Sequence, residues 1–89
     1  MNNIEFTIQV WKEGPMFVSY AREFEVASCG KTTEEARKNI RAAVELFLEE
    51  TKKMGTLEQV LEEAGFEAGD DSQWRAPEMV AYERSRLAV

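Results

Sequence analysis

The change of apolar period that decides the fold falls in residues 24–48, which read FEVASCGKTTEEARKNIRAAVELFL. Before Gly30, and most clearly from Ile4 to Val10, apolar residues alternate with polar ones, which is typical of a half-buried strand. After Gly30 they recur every three or four residues, which predicts an amphipathic helix. Thr32 is a favourable N-cap residue, and Glu35 three positions later completes a capping box. The stretch therefore predicts a strand that leads through a tight turn into a helix.

Two further strands are predicted on the N-terminal side of this stretch. Apolar and polar residues alternate from Ile4 to Val10, and the sequence Glu13-Gly14-Pro15 ends this strand. Residues 16–21, MFVSYA, then form the returning arm of a hairpin. We expect the third strand over about residues 24–28. All three strands are predicted to pair antiparallel, because their connections are too short for crossovers.

Two helices and a last strand are predicted on the C-terminal side. The first helix has about 20 residues and ends at Gly55, a residue type that favours the left-handed position after a helix. The second helix starts at Thr56 and ends at Gly65-Phe66 with Phe66 folded back. Residues 67–78 are predicted to form a flexible loop. Residues 79–89, MVAYERSRLAV, are predicted to form a C-terminal strand.

These elements predict a single α+β domain over residues 1–89, in the order β-β-β-α-α-β. Its antiparallel sheet has three to four strands, and both helices lie on one face of it. We expect the core to combine the alternating strand residues with the apolar stripe of the helices. The predicted core residues are Ile4, Phe6, Ile8, Val10, Val18, Tyr20, Val26, Ile40, Val44, Phe47 and Leu57.

The composition excludes several classes of function. The 89 residues contain 11 Lys and Arg against 17 Asp and Glu, a net charge of −6. Without a cationic surplus there is no electrostatic footprint for phosphate backbones, so we expect no direct nucleic-acid binding. The N-terminus has neither a basic segment nor a long apolar run, so we expect no signal peptide and no membrane helix. The single cysteine, Cys29, fits the reducing cytoplasm, where we expect the protein.

The residue types that carry most enzymatic chemistry are scarce. The chain has no His, and its two aspartates, Asp70 and Asp71, adjoin each other in the predicted loop, where we interpret them as a solvated turn. Cys29 precedes a helix N-terminus, where a thiolate is favoured, but without a histidine base we interpret it as a small packing residue. We therefore predict no catalytic residue, no metal site and no cofactor.

Five segments of the chain occur in a recognisable order. They are Phe6-Thr7-Ile8, Gly14, Phe17-Val18-Ser19-Tyr20, Gly30-Lys31-Thr32-Thr33-Glu34-Glu35-Ala36 and Ile40-Arg41-Ala42-Ala43-Val44-Glu45-Leu46-Phe47-Leu48-Glu49. This order resembles the HicB antitoxin family. In that family a three-stranded hairpin sheet leads through a Gly-x-Thr-x-x-Glu-Ala segment into a helix that ends in a Leu/Tyr/Phe-Leu-Glu pattern. The resemblance covers roughly residues 4–50.

The resemblance implies a partial ribonuclease-H-like fold without its nuclease activity. It also implies a partner, a small basic HicA-like ribonuclease toxin that cleaves mRNA and is inhibited when the antitoxin covers its active surface. An acidic chain suits a basic partner, because complementary potentials speed encounter. The chain departs from the family at residues 22–27, REFEVA, where HicB proteins usually carry a Pro-x-x-Pro-Gly-Cys-like turn. It also ends at Val89, where many relatives append a DNA-binding domain, so we expect no autoregulation through DNA.

Three hypotheses for the function follow. The first is an antitoxin-like protein-binding module that neutralises a toxin. The second is a stand-alone, self-associating HicB-like domain with a structural or regulatory role and no toxin partner. The third is an enzyme that uses Glu5, Glu23 or Glu25 with a divalent ion, which the absence of His and of strand Asp disfavours.

We expect a homo-oligomer, because the sheet of such a small domain leaves edges open and residues 79–89 can pair with a second subunit. The alternative is a monomer in which this strand closes its own sheet. Arg84 and Arg86 are two positions apart, so they point to the same side of a strand, where they meet carboxylates of that subunit. The candidate partner-binding residues are Trp11, Glu23, Glu25, Trp74, Tyr82, Arg84 and Arg86.

Overall fold

The computed structural model describes residues 3–71 and 73–89 of the chain. Within these residues the chain forms six strands and two helices, so the predicted α+β class is confirmed. None of the helices in this part is long and apolar enough to cross a membrane. In chain order the elements are β1 (Asn3–Ile4), β2 (Ile8–Glu13), β3 (Met16–Ala21), β4 (Val26–Gly30), α1 (Thr33–Lys53), α2 (Leu57–Glu63), β5 (Glu67–Ala68) and β6 (Gln73–Arg75).

The strands form two three-stranded sheets rather than one sheet of three to four strands. The larger sheet has the order β2-β3-β4, with antiparallel pairing throughout as predicted. Its first hairpin turns at Gly14-Pro15, where Gly14 has a φ of +60°, a conformation that the type II′ turn of a two-residue hairpin needs. The smaller sheet has the order β1-β6-β5, with β1 parallel to β6 and β5 antiparallel to it.

The predicted N-cap at the junction between strand and helix is confirmed. The Thr32 side chain accepts a hydrogen bond from the Glu35 backbone N–H at 3.0 Å, so it caps α1. Gly30 lies so close to the first turn of α1 that a Cβ there would be 2.6 Å from the backbone nitrogen of Ala36. The Gly-x-Thr-x-x-Glu-Ala segment is therefore a junction in which strand and helix touch through backbone.

Both helices end as the sequence predicts. At the end of α1, Gly55 has a φ of +74° and the Thr56 N–H donates to the Thr51 carbonyl at 2.9 Å. At the end of α2, the Phe66 N–H donates in the same way to the Leu61 carbonyl. The chain turns back at this point, and the Phe66 side chain is buried. The start of α2 differs from the prediction: the Thr56 hydroxyl caps no N–H of α2 but lies 3.4 Å from the Thr51 carbonyl.

Helix α1 packs on one face of the β2-β3-β4 sheet through small residues. Ser19 and Ala21 of β3 are fully buried, and so is Ala36 on the facing side of the helix. Val18 and Tyr20 therefore point to the opposite face, so their assignment to the core was wrong. The predicted apolar stripe of α1 is confirmed, since Ile40 and Val44 are buried in the core.

The two sheets and the helices meet around the ring of Phe24. This residue lies in the turn between β3 and β4, not in the third strand as predicted, and β4 starts two residues later. The Phe24 ring stacks on Phe66 with a centroid distance of 5.4 Å and contacts Phe6 and Phe47 at 6.0 and 5.7 Å. The turn is thus anchored by an aromatic cluster.

The C-terminal region differs most from the sequence prediction. Strands β5 and β6 form within the predicted loop, because Trp74 packs against the core and β6 finds a partner in β1. Residues 79–89 form no strand, and every side chain from residue 77 onward is exposed. The radius of gyration is 15.0 Å, whereas about 12 Å is typical of a compact chain of this length. We call residues 78–89 the C-terminal arm.

The buried hydroxyl of Ser19 leads to a prediction about the free energy of unfolding. Its Oγ has no hydrogen-bond partner in the described part of the chain. We expect Ser19→Ala to raise the free energy of unfolding by about 1 kcal/mol, because an unpaired polar group leaves the core. Ser19→Leu should lower it by about 1–3 kcal/mol, because α1 packs too closely for a larger side chain.

Denaturant titration of both variants measures this difference. Ser85→Ala on the exposed arm is the control and should change stability by less than about 0.5 kcal/mol. A clear loss of stability in Ser19→Ala would contradict the interpretation.

Candidate protein-binding surfaces

The face of the β2-β3-β4 sheet opposite to α1 is apolar and open. We call it the outer face. Every second residue of the three strands lies on this face, which gives eight described positions. Glu13, next to the hairpin turn, is the one charged residue among these eight. The eight residues are Gln9, Trp11, Glu13, Met16, Val18, Tyr20, Ala27 and Cys29.

The centre of the outer face is an aromatic pair. The rings of Trp11 and Tyr20 lie on neighbouring strands with their centroids 6.4 Å apart and tilted by 44°. Val18 is directly opposite Trp11 on one side and opposite Cys29 on the other. Trp11 is 40% exposed, and Ala27 and Cys29 are exposed as well. The interpretation of Cys29 as a packing residue was therefore wrong.

Glu23 and Glu25 flank Phe24 in the turn at the far end of this sheet, and they have different roles. The Glu23 carboxylate accepts hydrogen bonds from both the backbone N–H and the hydroxyl of Thr7, at 2.7 and 2.8 Å. Thr7 lies between β1 and β2, where the predicted first strand is interrupted. Glu23 therefore stabilises the segment that connects the two sheets. Glu25 is exposed and has a φ of +54°, the left-handed region that non-glycine residues rarely adopt.

The remaining candidate residues lie elsewhere. Trp74 is half-buried in β6 and packs against the core, so it lies apart from the outer face. Tyr82, Arg84 and Arg86 are exposed on the C-terminal arm. The structure therefore separates the seven candidates into the outer face, the turn at residues 22–25, the core and the arm.

Sequence reasoning missed most of the outer face. The sequence predicts Trp11 as an interface residue but places Val18 and Tyr20 in the core, because apolar residues occupy both faces of β3. The signal that identifies the correct face is size: Ser19 and Ala21 are small enough to lie under a helix, whereas Val18 and Tyr20 are not.

The described residues offer little for metal or acid–base chemistry. Residues 3–71 and 73–89 contain no group of three or more side chains placed to hold a metal ion. Glu23 already has an internal partner in Thr7. Asp71 forms an exposed ion pair with Arg75, whose guanidinium lies 2.9 Å away.

The sequence and the structure were compared with known proteins. No protein family matches this sequence, and no curated protein or solved structure matches it significantly.

The two glutamates of the turn give a matched test. We expect Glu23→Ala to lower the free energy of unfolding by about 1–3 kcal/mol, because the Thr7 N–H and hydroxyl lose their acceptor. Glu25→Ala removes an exposed carboxylate from the same turn and should change stability by less than about 0.5 kcal/mol. Urea titration measures both. Equal losses would show that the Thr7 contact contributes nothing beyond the turn itself.

Proposed function

We propose that this chain is a HicB-like antitoxin, a protein-binding module that neutralises a small basic HicA-like mRNA-cleaving toxin by covering its active surface. The observation that carries the binding role is the outer face, an open and nearly uncharged sheet surface centred on Trp11 and Tyr20. The partial ribonuclease-H-like fold is part of the same proposal.

The composition of the outer face supports a protein partner. Cores of protein interfaces are enriched in Trp, Tyr and Met and depleted in charged residues. Trp11, Tyr20 and Met16 supply these residue types, and Glu13 lies at the edge. A large aromatic side chain that is 40% exposed gains burial when a partner covers it.

The charge of the chain supports a basic partner. The net charge is −6, and Glu13 and Glu25 lie at opposite ends of the sheet that carries the outer face. A positively charged toxin approaching this face meets acidic groups around an apolar centre, an arrangement that favours fast and selective encounter.

Three marked positions of the segment that carries the HicB resemblance have a physical role in this chain. Gly30 permits the backbone contact, Thr32 caps α1, and Ala36 is buried on the side of α1 that faces the sheet. These roles support the proposal, because they give the segment a structural reason. The exposed thiol of Cys29 suits a reducing compartment, so we propose a cytoplasmic location.

The experiment uses the small basic protein encoded in the neighbouring reading frame. That protein is purified, its cleavage of mRNA is measured, and the present chain is titrated into the reaction. We expect inhibition to be complete at one equivalent. Absence of a small basic neighbour, or a neighbour that cleaves RNA equally well with and without this chain, would overturn the proposal.

Variants locate the surface responsible. We expect Trp11→Ala and Tyr20→Ala each to weaken toxin binding by about 30-fold or more, the usual effect of a central aromatic hot spot. Leu46→Ala is the matched control, because Leu46 is a 59% exposed apolar residue on α1, away from the outer face. An equal effect of all three variants would show that the outer face is not the toxin surface.

A second candidate function is self-association without a toxin. It is favoured by the C-terminal arm, where Tyr82 is 69% and Leu87 is 85% exposed. Apolar side chains on an extended segment gain burial only when another surface receives them.

A further inference from the structure

An apolar groove runs along the exposed side of α1, next to β1 and β6. Its volume is about 370 Å³. Its apolar lining residues are half-buried and all pack against the core; they are Ile4, Leu48, Leu57 and Trp74. Glu45, Glu49 and Lys52 of α1 form its charged wall, which is acidic on balance. We call this site the α1 groove.

The two carboxylates of the α1 groove have a neighbouring cation, Lys52, but are not paired with it. Glu45 and Glu49 are exposed, and neither forms an ion pair in the part of the chain that the structure describes. They are four positions apart on one helix, so their Cβ atoms are about 6 Å apart and the charges repel each other. A ligand that brings two cations at this spacing would relieve the repulsion.

The C-terminal arm carries such a pair of cations. On an extended chain, residues two apart lie on the same side and about 6.6–6.8 Å apart, which places Arg84 beside Arg86 at nearly the spacing of the two glutamates. Val80 and Tyr82 fall on that same side, whereas Glu83 points away. One side of the arm is therefore apolar and then cationic, in complement to the apolar floor and acidic wall of the α1 groove.

We propose that the C-terminal arm of one copy lies in the α1 groove of a second copy, with Arg84 and Arg86 paired to Glu45 and Glu49. This deepens the second candidate function, self-association, by naming the two surfaces that meet. The exchange is reciprocal, since each copy has one arm and one groove, and it closes as a two-fold symmetric dimer.

The shape of the chain favours a second copy over its own groove. The arm extends from the body, as the radius of gyration of 15.0 Å shows, and its side chains are exposed throughout. Two bodies of like net charge otherwise repel, so pairing arginines with glutamates at the contact gives the assembly its local attraction.

The experiment exchanges the charges on the full-length chain. One variant carries Arg84→Glu and Arg86→Glu, and the other carries Glu45→Arg and Glu49→Arg. We expect the wild type to have a dimer mass by light scattering at micromolar concentration. In each variant the dimer dissociation constant should rise about tenfold or more, because like charges now face each other.

Mixing the two variants is the decisive step. In a mixture, each arm finds a groove of opposite charge only on the other variant, so we expect heterodimers to form from two species that do not self-associate. An arm that folds back into its own groove would give no heterodimer. A monomeric wild type, or a mixture that stays monomeric, would overturn the proposal.

Matched variants separate this inference from general charge effects and from toxin binding. Glu58→Arg with Glu62→Arg alters an exposed glutamate pair at the same spacing on α2 and should leave the dimer intact. Glu45→Gln with Glu49→Gln should weaken the dimer without introducing repulsive cations. Dimers that persist in the groove variants would overturn the groove assignment alone, leaving self-association in place. Toxin inhibition, measured on the same proteins, depends on the outer face and reports separately.

Discussion

The close approach of α1 to the β2-β3-β4 sheet is the constraint on which the rest of the structure depends. The helix can lie this near because Gly30 has no Cβ to meet the backbone of Ala36, and because Ser19 and Ala21 present almost no side chain. Small residues at the contact fix which face of the sheet receives the helix. The opposite face therefore stays open, and the aromatic pair of Trp11 and Tyr20 lies on that open face.

Local signals in the sequence were sufficient for the parts of the fold that local interactions determine. Thr32 caps α1, Gly55 and Gly65 end the helices, and Gly14-Pro15 turns the hairpin as predicted. Each of these features rests on residues within about one turn of one another. The α+β class followed from the change of period at Gly30.

Features that depend on distant residues were not predictable in this way. The sequence MFVSYA places apolar residues on both faces of β3, so periodicity alone cannot orient it. Residues 79–89 have strand-like composition, but a strand also requires a partner, and β1 pairs with β6 instead. For the candidate site, Trp11 was predicted as an interface residue and is exposed, whereas residues 79–89 were predicted as a strand and are exposed without forming one. The hydrogen bonds that Thr7 donates to Glu23 were not predictable, because they join residues sixteen positions apart.

The parallel pairing of β1 with β6 bears on the order in which the protein forms. Asn3 finds its partner in Gln73 near the other end of the chain, whereas β2, β3, β4 and α1 pack on close sequence neighbours. Contacts of low sequence separation form early, and closing a long loop comes late. During synthesis, the hairpin sheet and α1 can assemble before residue 73 leaves the ribosome. Pairing of β1 with β6 then completes the smaller sheet on a body that is already built.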